Sequence, residues 1–138
     1  MPRDQRSGSP GRHDGIPGIH PGRPLRRDRS VKRGDLVTIA QKGDYERKPR
    51  PAVVIQSDFF DAMDSVTVCL LTGERTEIAT IRPALEPDEM NSLRERSWVQ
   101  VDKIATIRRE RVGKIFGRVS DTDMKRITAS VAVFLGIA

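Results

Sequence analysis

The stretch that decides the fold is Pro51–Thr72, PAVVIQSDFFDAMDSVTVCLLT. It holds two β-rich runs, Pro51–Ser57 and Ser65–Thr72. In the second, Val66, Val68 and Leu70 share one face, and Thr72 continues that face at the strand's end. Pro51 stands at the first position of its run, where a missing N–H is tolerated. On the N-terminal side, Leu36–Ala40 reads as a short strand, and Gln41–Arg50, broken by Gly43, Asp44 and Pro49, reads as a polar loop. On the C-terminal side, Gly73–Glu74 turns the chain into a fourth strand, Thr76–Arg82. Pro83–Glu95 carries Pro83, Pro87 and Asn91 and reads as an irregular connection.

Ser97–Lys103 reads as a fifth strand, with Trp98, Gln100 and Asp102 on one face and Val99 and Val101 on the other. Arg108–Lys114 is charged and suits a helical turn, and Ile115–Val119 is extended. Ser120 followed by Asp123 is a capping pattern. Met124, Ile127, Val131, Phe134 and Leu135 then recur at helical spacing as a core stripe, and Gly136 closes the helix. Short strands closed by one amphipathic helix predict a mainly β fold, a small antiparallel barrel with a C-terminal helix.

Of the 138 residues, 36% are hydrophobic and 32% charged. That apolar share is low for a wholly folded chain. The net charge of +6 resides in residues 1–33, which hold nine Lys/Arg against three Asp; the remainder holds 16 of each sign. Residues 1–30 contain five Pro and five Gly and few large aliphatics, too few to offset the entropy of ordering. They read as a disordered basic tail, with the domain at 31–138. The tail is either an electrostatic arm for phosphates or an untuned extension. No apolar run is long enough to span a membrane, and the Arg-rich N-terminus is not a secretory signal. The single cysteine, Cys69, excludes an intrachain disulfide and a multi-cysteine zinc site, and fits a reducing cytoplasm. Both histidines, His13 and His20, lie in the tail, so any catalysis in the domain must proceed without histidine.

There is no Gly-rich phosphate loop, no Ser/His pair and no cluster of metal ligands, so neither a cofactor nor a metal is expected. Polar groups fall where loops meet strands: Arg50 before strand two, Thr72 ending strand three, Asp102 within strand five. These types suit phosphoryl chemistry on RNA. A carboxylate takes a proton from a 2′-hydroxyl, an arginine neutralises a pentacoordinate phosphate, and a threonine hydroxyl positions a non-bridging oxygen. Spacing alone leaves the ordinary readings open: a solvated arginine, a β-forming threonine and an ion-paired aspartate.

The blocks Gly34-Asp-Leu-Val37, Lys48-Pro-Arg-Pro-Ala-Val-Val-Ile-Gln-Ser57, Val66-Thr-Val-Cys-Leu-Leu-Thr72, Val99-Gln-Val-Asp-Lys-Ile-Ala-Thr-Ile107, Val112-Gly-Lys-Ile-Phe-Gly-Arg-Val-Ser120 and Phe134-Leu-Gly-Ile137 occur in an order that resembles the MazF/PemK growth-inhibitor toxins. The resemblance covers about residues 33–138. It implies an SH3-like barrel, a homodimer, and a metal-independent endoribonuclease that cuts single-stranded RNA to 2′,3′-cyclic phosphate and 5′-hydroxyl ends. It also implies a cognate antitoxin that covers the RNA groove. It gives Arg50 the role of acid and phosphate clamp, and matches Thr72 and Asp102 to a threonine and a base of the family.

Three positions depart from the family pattern. Gly73 stands where a hydroxyl residue is common, Gln100 where some members have arginine, and Tyr45 where some have a loop glutamate. A one-residue shift restores Glu46; otherwise Asp102 is the base alone. Tyr45 is either a stacking surface for a base or an exposed loop aromatic. Glu46, Arg47, Lys48, Gln100 and Arg75 join Tyr45 as candidate RNA contacts, while Arg108, Arg109 and Arg111 read as a solvated cluster. Two alternatives stand: a gyrase-poisoning toxin of the same fold, and a non-catalytic barrel that binds RNA or protein. Deleting residues 1–30 is expected to leave the melting temperature nearly unchanged; a drop of many degrees in a thermal melt would make the tail structural.

Overall fold

The computed structural model describes residues 30–40, 48–76, 78 and 81–138. Six strands form one antiparallel sheet: β1 (Asp35–Ile39), β2 (Arg50–Val54), β3 (Ser65–Thr72), β4 (Ala84–Leu85), β5 (Ser97–Arg108) and β6 (Val112–Arg118). One helix, α1 (Asp121–Leu135), follows. The strand order is β4-β5-β3-β2-β1-β6, and the sheet curls into a half-barrel. The expected mainly β class with a C-terminal helix is what the chain adopts.

Alternation along the strands sorts apolar side chains to two faces. Leu36, Val53, Cys69, Leu71, Val99 and Val101 make one buried cluster with Phe116 of β6 and Ile127 of the helix. Val37, Ile39, Ala52, Val54, Val66 and Val68 make the other, with Ile107, Val112 and Ile115. Both faces are buried, which is why the central strands read as near-continuous apolar runs. Cys69 is fully buried, and burial pushes its thiol up to about 12, so it is no nucleophile.

The ends of the helix follow from single residues. The Ser120 hydroxyl accepts the Asp123 N–H at 3.0 Å, and Asp121 and Asp123 complement the helix dipole. Gly136 takes φ 78° and closes the last turn. Ile127 is fully buried and Met124 and Val131 pack beside it, but Phe134 and Leu135 are 45% and 53% exposed. The expected core stripe therefore stops one turn early, because the last turn does not pack on the buried cluster.

Three strands differ from expectation: β6 starts at Val112, three residues before the expected Ile115, because the helical turn is confined to Arg109–Arg111. No strand occupies the described part of 76–82. Instead Ile81 and Pro83 offer carbonyls to the N–H groups of Val101 and Val99, at 3.2 and 2.9 Å. Pro83 has no N–H to return, so a regular ladder cannot form, and only Ala84–Leu85 pairs as a strand. Strand β5 is longer than expected and carries a bulge. Cys69 pairs with Ile104, but the next residue, Leu70, pairs with Gln100. Val101–Lys103 are thus extra residues with no partner in β3, and the strand bends there.

That bend is pinned by Arg82, which donates to both carboxylate oxygens of Asp102, from Nε at 2.9 Å and from Nη2 at 2.8 Å. The hydrogen bonds from Arg82 hold the Asp102 carboxyl below the ordinary carboxylate range. The Pro83–Glu95 connection is irregular, as expected apart from β4, and is built around buried Asn91. Its amide accepts from Asp88 and Leu93 N–H groups and donates to the Glu86 carbonyl. Gly117 packs under it: a Cβ at Gly117 would lie 2.4 Å from the Asn91 carbonyl oxygen.

Gly117→Ala is therefore expected to cost about 1–3 kcal/mol in a denaturant melt; an unchanged midpoint would contradict this packing. The lowered carboxyl of Asp102 has a definite sign. Its stabilisation is full above the unfolded carboxylate pKa and is lost as pH falls through the lower folded one. The stability gap between wild type and Asp102→Asn should be present at neutral pH and shrink below about pH 4; a gap independent of pH would refute the pair.

Candidate active site

The groove face is the second apolar face, at the end where its strands turn polar. Val37, Ala52 and Val68 are fully buried there, but further out β2 reaches Arg50, and β3 runs through half-buried Leu70 to Thr72. The β2–β3 register pairs Ala52 with Leu70, and continued two residues it sets Arg50 opposite Thr72. The β3–β5 register pairs Leu70 with Gln100 and Thr72 with Trp98. Directly opposed residues project from the same face. Arg50, Thr72 and Gln100 are thereby brought to one open groove of about 690 Å³.

Lys48, Lys103, Glu74, Glu95, Ser97 and Leu93 also line this groove. Three cations thus face two carboxylates, and the groove is not uniformly basic. Among the described residues, Arg50 makes one long hydrogen bond, Nη2 to the Leu71 carbonyl at 3.4 Å, so most of its donors remain for a ligand. The Thr72 hydroxyl accepts the Glu74 N–H at 3.1 Å, which fixes the oxygen and leaves its own proton to donate. Gln100 is only 8% exposed, and its Oε1 is buried with no hydrogen-bond partner among the described residues. A buried acceptor without a donor is costly, so this oxygen favours any donor that reaches it.

Asp102 does not line the groove. It is 22% exposed and holds the bidentate pair with Arg82. Strict alternation puts Asp102 on the face of Gln100, but the three extra residues of the bulge break that alternation, and Lys103 faces the groove instead. Arg75 is exposed and outside the lining. Tyr45, Glu46 and Arg47 lie outside the described residues.

The cluster after β5 has a local role. Arg111 donates to the Ala40 carbonyl, Arg109 to the Met63 carbonyl, and Arg108 pairs with Glu110. These side chains hold neighbouring loops at the surface, away from the groove. Among the groove residues, Lys103, Glu74 and Glu95 were not picked out by sequence. Glu74 had a signal in its place beside Thr72; the other two depend on the bulge and on the irregular connection. Among the described residues, no three His, Cys, Asp or Glu side chains gather as a metal site. No helix among them is long and apolar enough to cross a membrane.

Comparison with known proteins places this geometry in a family. Residues 32–135 match the family described as PemK-like, MazF-like toxin of type II toxin–antitoxin system. A probable endoribonuclease MazF of Mycolicibacterium smegmatis is 41% identical over 108 residues, covering 78% of this chain and 99% of that protein. An endoribonuclease solved with its cognate antitoxin, from a mycobacterial species, superposes with a TM-score of 0.64 at 20% identity, covering 78% of this chain and 97% of that one. A MazE–MazF structure from Deinococcus radiodurans gives a TM-score of 0.65 at 15% identity, covering 79% and 99%. At such identities the two structures speak for the fold alone, whereas the family match and the near full-length relative reach further: the chain belongs to the PemK-like, MazF-like toxins of type II toxin–antitoxin systems.

Proposed function

We propose that this toxin is an endoribonuclease that cuts single-stranded RNA by internal transesterification, without a metal ion. The observation that carries the reading is the convergence of Arg50 and Thr72 in one groove, each with donors to spare. The 2′-oxygen gives up its proton to a base and attacks the adjacent phosphorus, the P–O5′ bond breaks as the departing 5′-oxygen takes a proton from Arg50, and a 2′,3′-cyclic phosphate and a 5′-hydroxyl result. Arg50 neutralises the charge on the phosphoryl oxygens through a planar fork of N–H donors. The Thr72 O–H positions a non-bridging oxygen. Lys48 and Lys103 attract the neighbouring phosphates.

The proton of the 2′-hydroxyl needs an acceptor. Asp102, paired and outside the groove, is better placed to hold the bulge between Gln100 and Lys103 than to touch RNA. We assign the base to a carboxylate of the groove itself, Glu74 or Glu95. At Gly73 an added Cβ meets nothing within 4 Å, so the groove has room for a larger side chain there. The partners proposed are single-stranded RNA, a cognate antitoxin and a second copy of the chain in the cytoplasm, with residues 1–30 as a separate basic tail. Exposed Phe59, Phe60 and Met63, and Val133, Phe134 and Leu135 at the helix end, support a protein-contacting surface.

The test is cleavage of a long single-stranded RNA in EDTA. Arg50→Ala and Thr72→Ala should each lower the rate by about 100-fold or more and keep the wild-type melting temperature. Asp102→Asn should keep activity within about tenfold and leave the acid limb of the pH–rate profile unmoved. Full activity in Arg50→Ala would overturn the mechanism; loss of the acid limb in Asp102→Asn would return the base to Asp102.

A further inference from the structure

Trp98 is the sole tryptophan of the chain, and neither apolar cluster includes it. It is half-buried, while Val99 beside it is fully buried. A large ring left outside both cores calls for another use. Its register partners are Thr72 on one side and Ala84 on the other. Opposed residues share a face, and Gln100, two residues along, lines the groove. Arg50, Thr72, Trp98 and Ala84 therefore form one row across β2, β3, β5 and β4, with the indole next to the candidate catalytic hydroxyl and just past the groove's end. The Arg96 guanidinium lies over the indole, 5.3 Å from its centroid, and pairs with exposed Glu86 at 2.8 Å.

We propose that Trp98 is the platform on which the nucleobase beside the scissile phosphate stacks, with Arg96 extending that surface. This rests on the endoribonuclease reading and adds to it a contact to the base. An unpaired base offers a flat π-face whatever its identity, and aromatic rings and guanidinium planes both stack on it. Stacking at this position locks the nucleotide's rotation about its backbone. It thus sets the 2′-oxygen and phosphorus against Arg50 and Thr72. The contact is tolerant of sequence; it contributes affinity and orientation, whereas hydrogen bonds such as that offered by the Gln100 oxygen choose the base.

The full chain serves for the test. The first arm follows the emission of Trp98 while short mixed-sequence oligonucleotides, fully 2′-O-methylated and so uncleavable, are titrated in. Saturable quenching is expected. The second arm compares cleavage of a long single-stranded RNA by Trp98→Phe and Trp98→Leu. The phenyl ring should keep kcat/KM within about threefold, and leucine should lose about 10- to 100-fold, mainly through KM. A purely structural role would move the melting temperature and treat the two replacements alike. Wild-type activity in Trp98→Leu, or emission unmoved by oligonucleotide at saturation, overturns the proposal. So does emission that shifts with protein concentration alone, which would make the indole a protein contact. If the wild-type chain cuts nothing, the endoribonuclease reading falls, and the quenching arm still decides whether Trp98 stacks a base.

Discussion

The antiparallel register of β2, β3 and β5 is the constraint on which the rest of the structure depends. Side chains alternate with a period of two, so a one-residue slip would exchange every buried position for its neighbour. Ala52, Leu70 and Gln100 align, and Thr72 aligns with Trp98. The same pairing that buries Val54 and Val68 therefore delivers Arg50 and Thr72 to the groove. Burial of the apolar half of the face enforces the register, and the polar half inherits its position. Fixed hydrogen-bond donors on rigid strands need little reorganisation when charge develops on a phosphate, which is what electrostatic stabilisation of such a reaction requires.

The β5 bulge is the second determinant. Three residues without partners in β3 turn Lys103 toward the groove, while Asp102 engages Arg82. A paired carboxylate that is held ionised is a poor place to store a catalytic proton, but a good fastener for a bend in a strand. Asp102 thus shapes the wall that carries Gln100 and Lys103.

Much of this was legible in the sequence. Strand β3 appears with the expected ends, because its alternation is undisturbed and turn residues bound it. The helix begins and ends where Ser120 and Gly136 said it would. Arg50, Thr72, Lys48 and Gln100, all singled out in the sequence, line one groove. The rest was hidden for physical reasons. Alternation cannot foresee a bulge, which is how Asp102 was read onto the face of Gln100. Pro83 withholds an N–H from the segment read as a fourth strand. Phe134 and Leu135 fit the helical stripe, but how far the helix packs against the buried cluster is not written in its period. Alternation put Trp98 on the face of Gln100, but its place beside Thr72 exists only once the strands pair.

Arg50 and Thr72 line the groove together with Gly73 and Gln100. In the proposed reaction charge neutralisation rests on Arg50, with Lys48 and Lys103 also lining the groove. The central claim is that the RNA's own 2′-oxygen is the nucleophile. It is tested most directly by mapping one cut in a single-stranded RNA and resynthesising that RNA with a single 2′-deoxynucleotide 5′ to the scissile phosphate. Cleavage should vanish at that bond alone and continue at other sites with cyclic-phosphate ends. Continued cutting at the deoxy position would mean that water attacks the phosphate, and the roles of Arg50 and Thr72 would have to be redrawn.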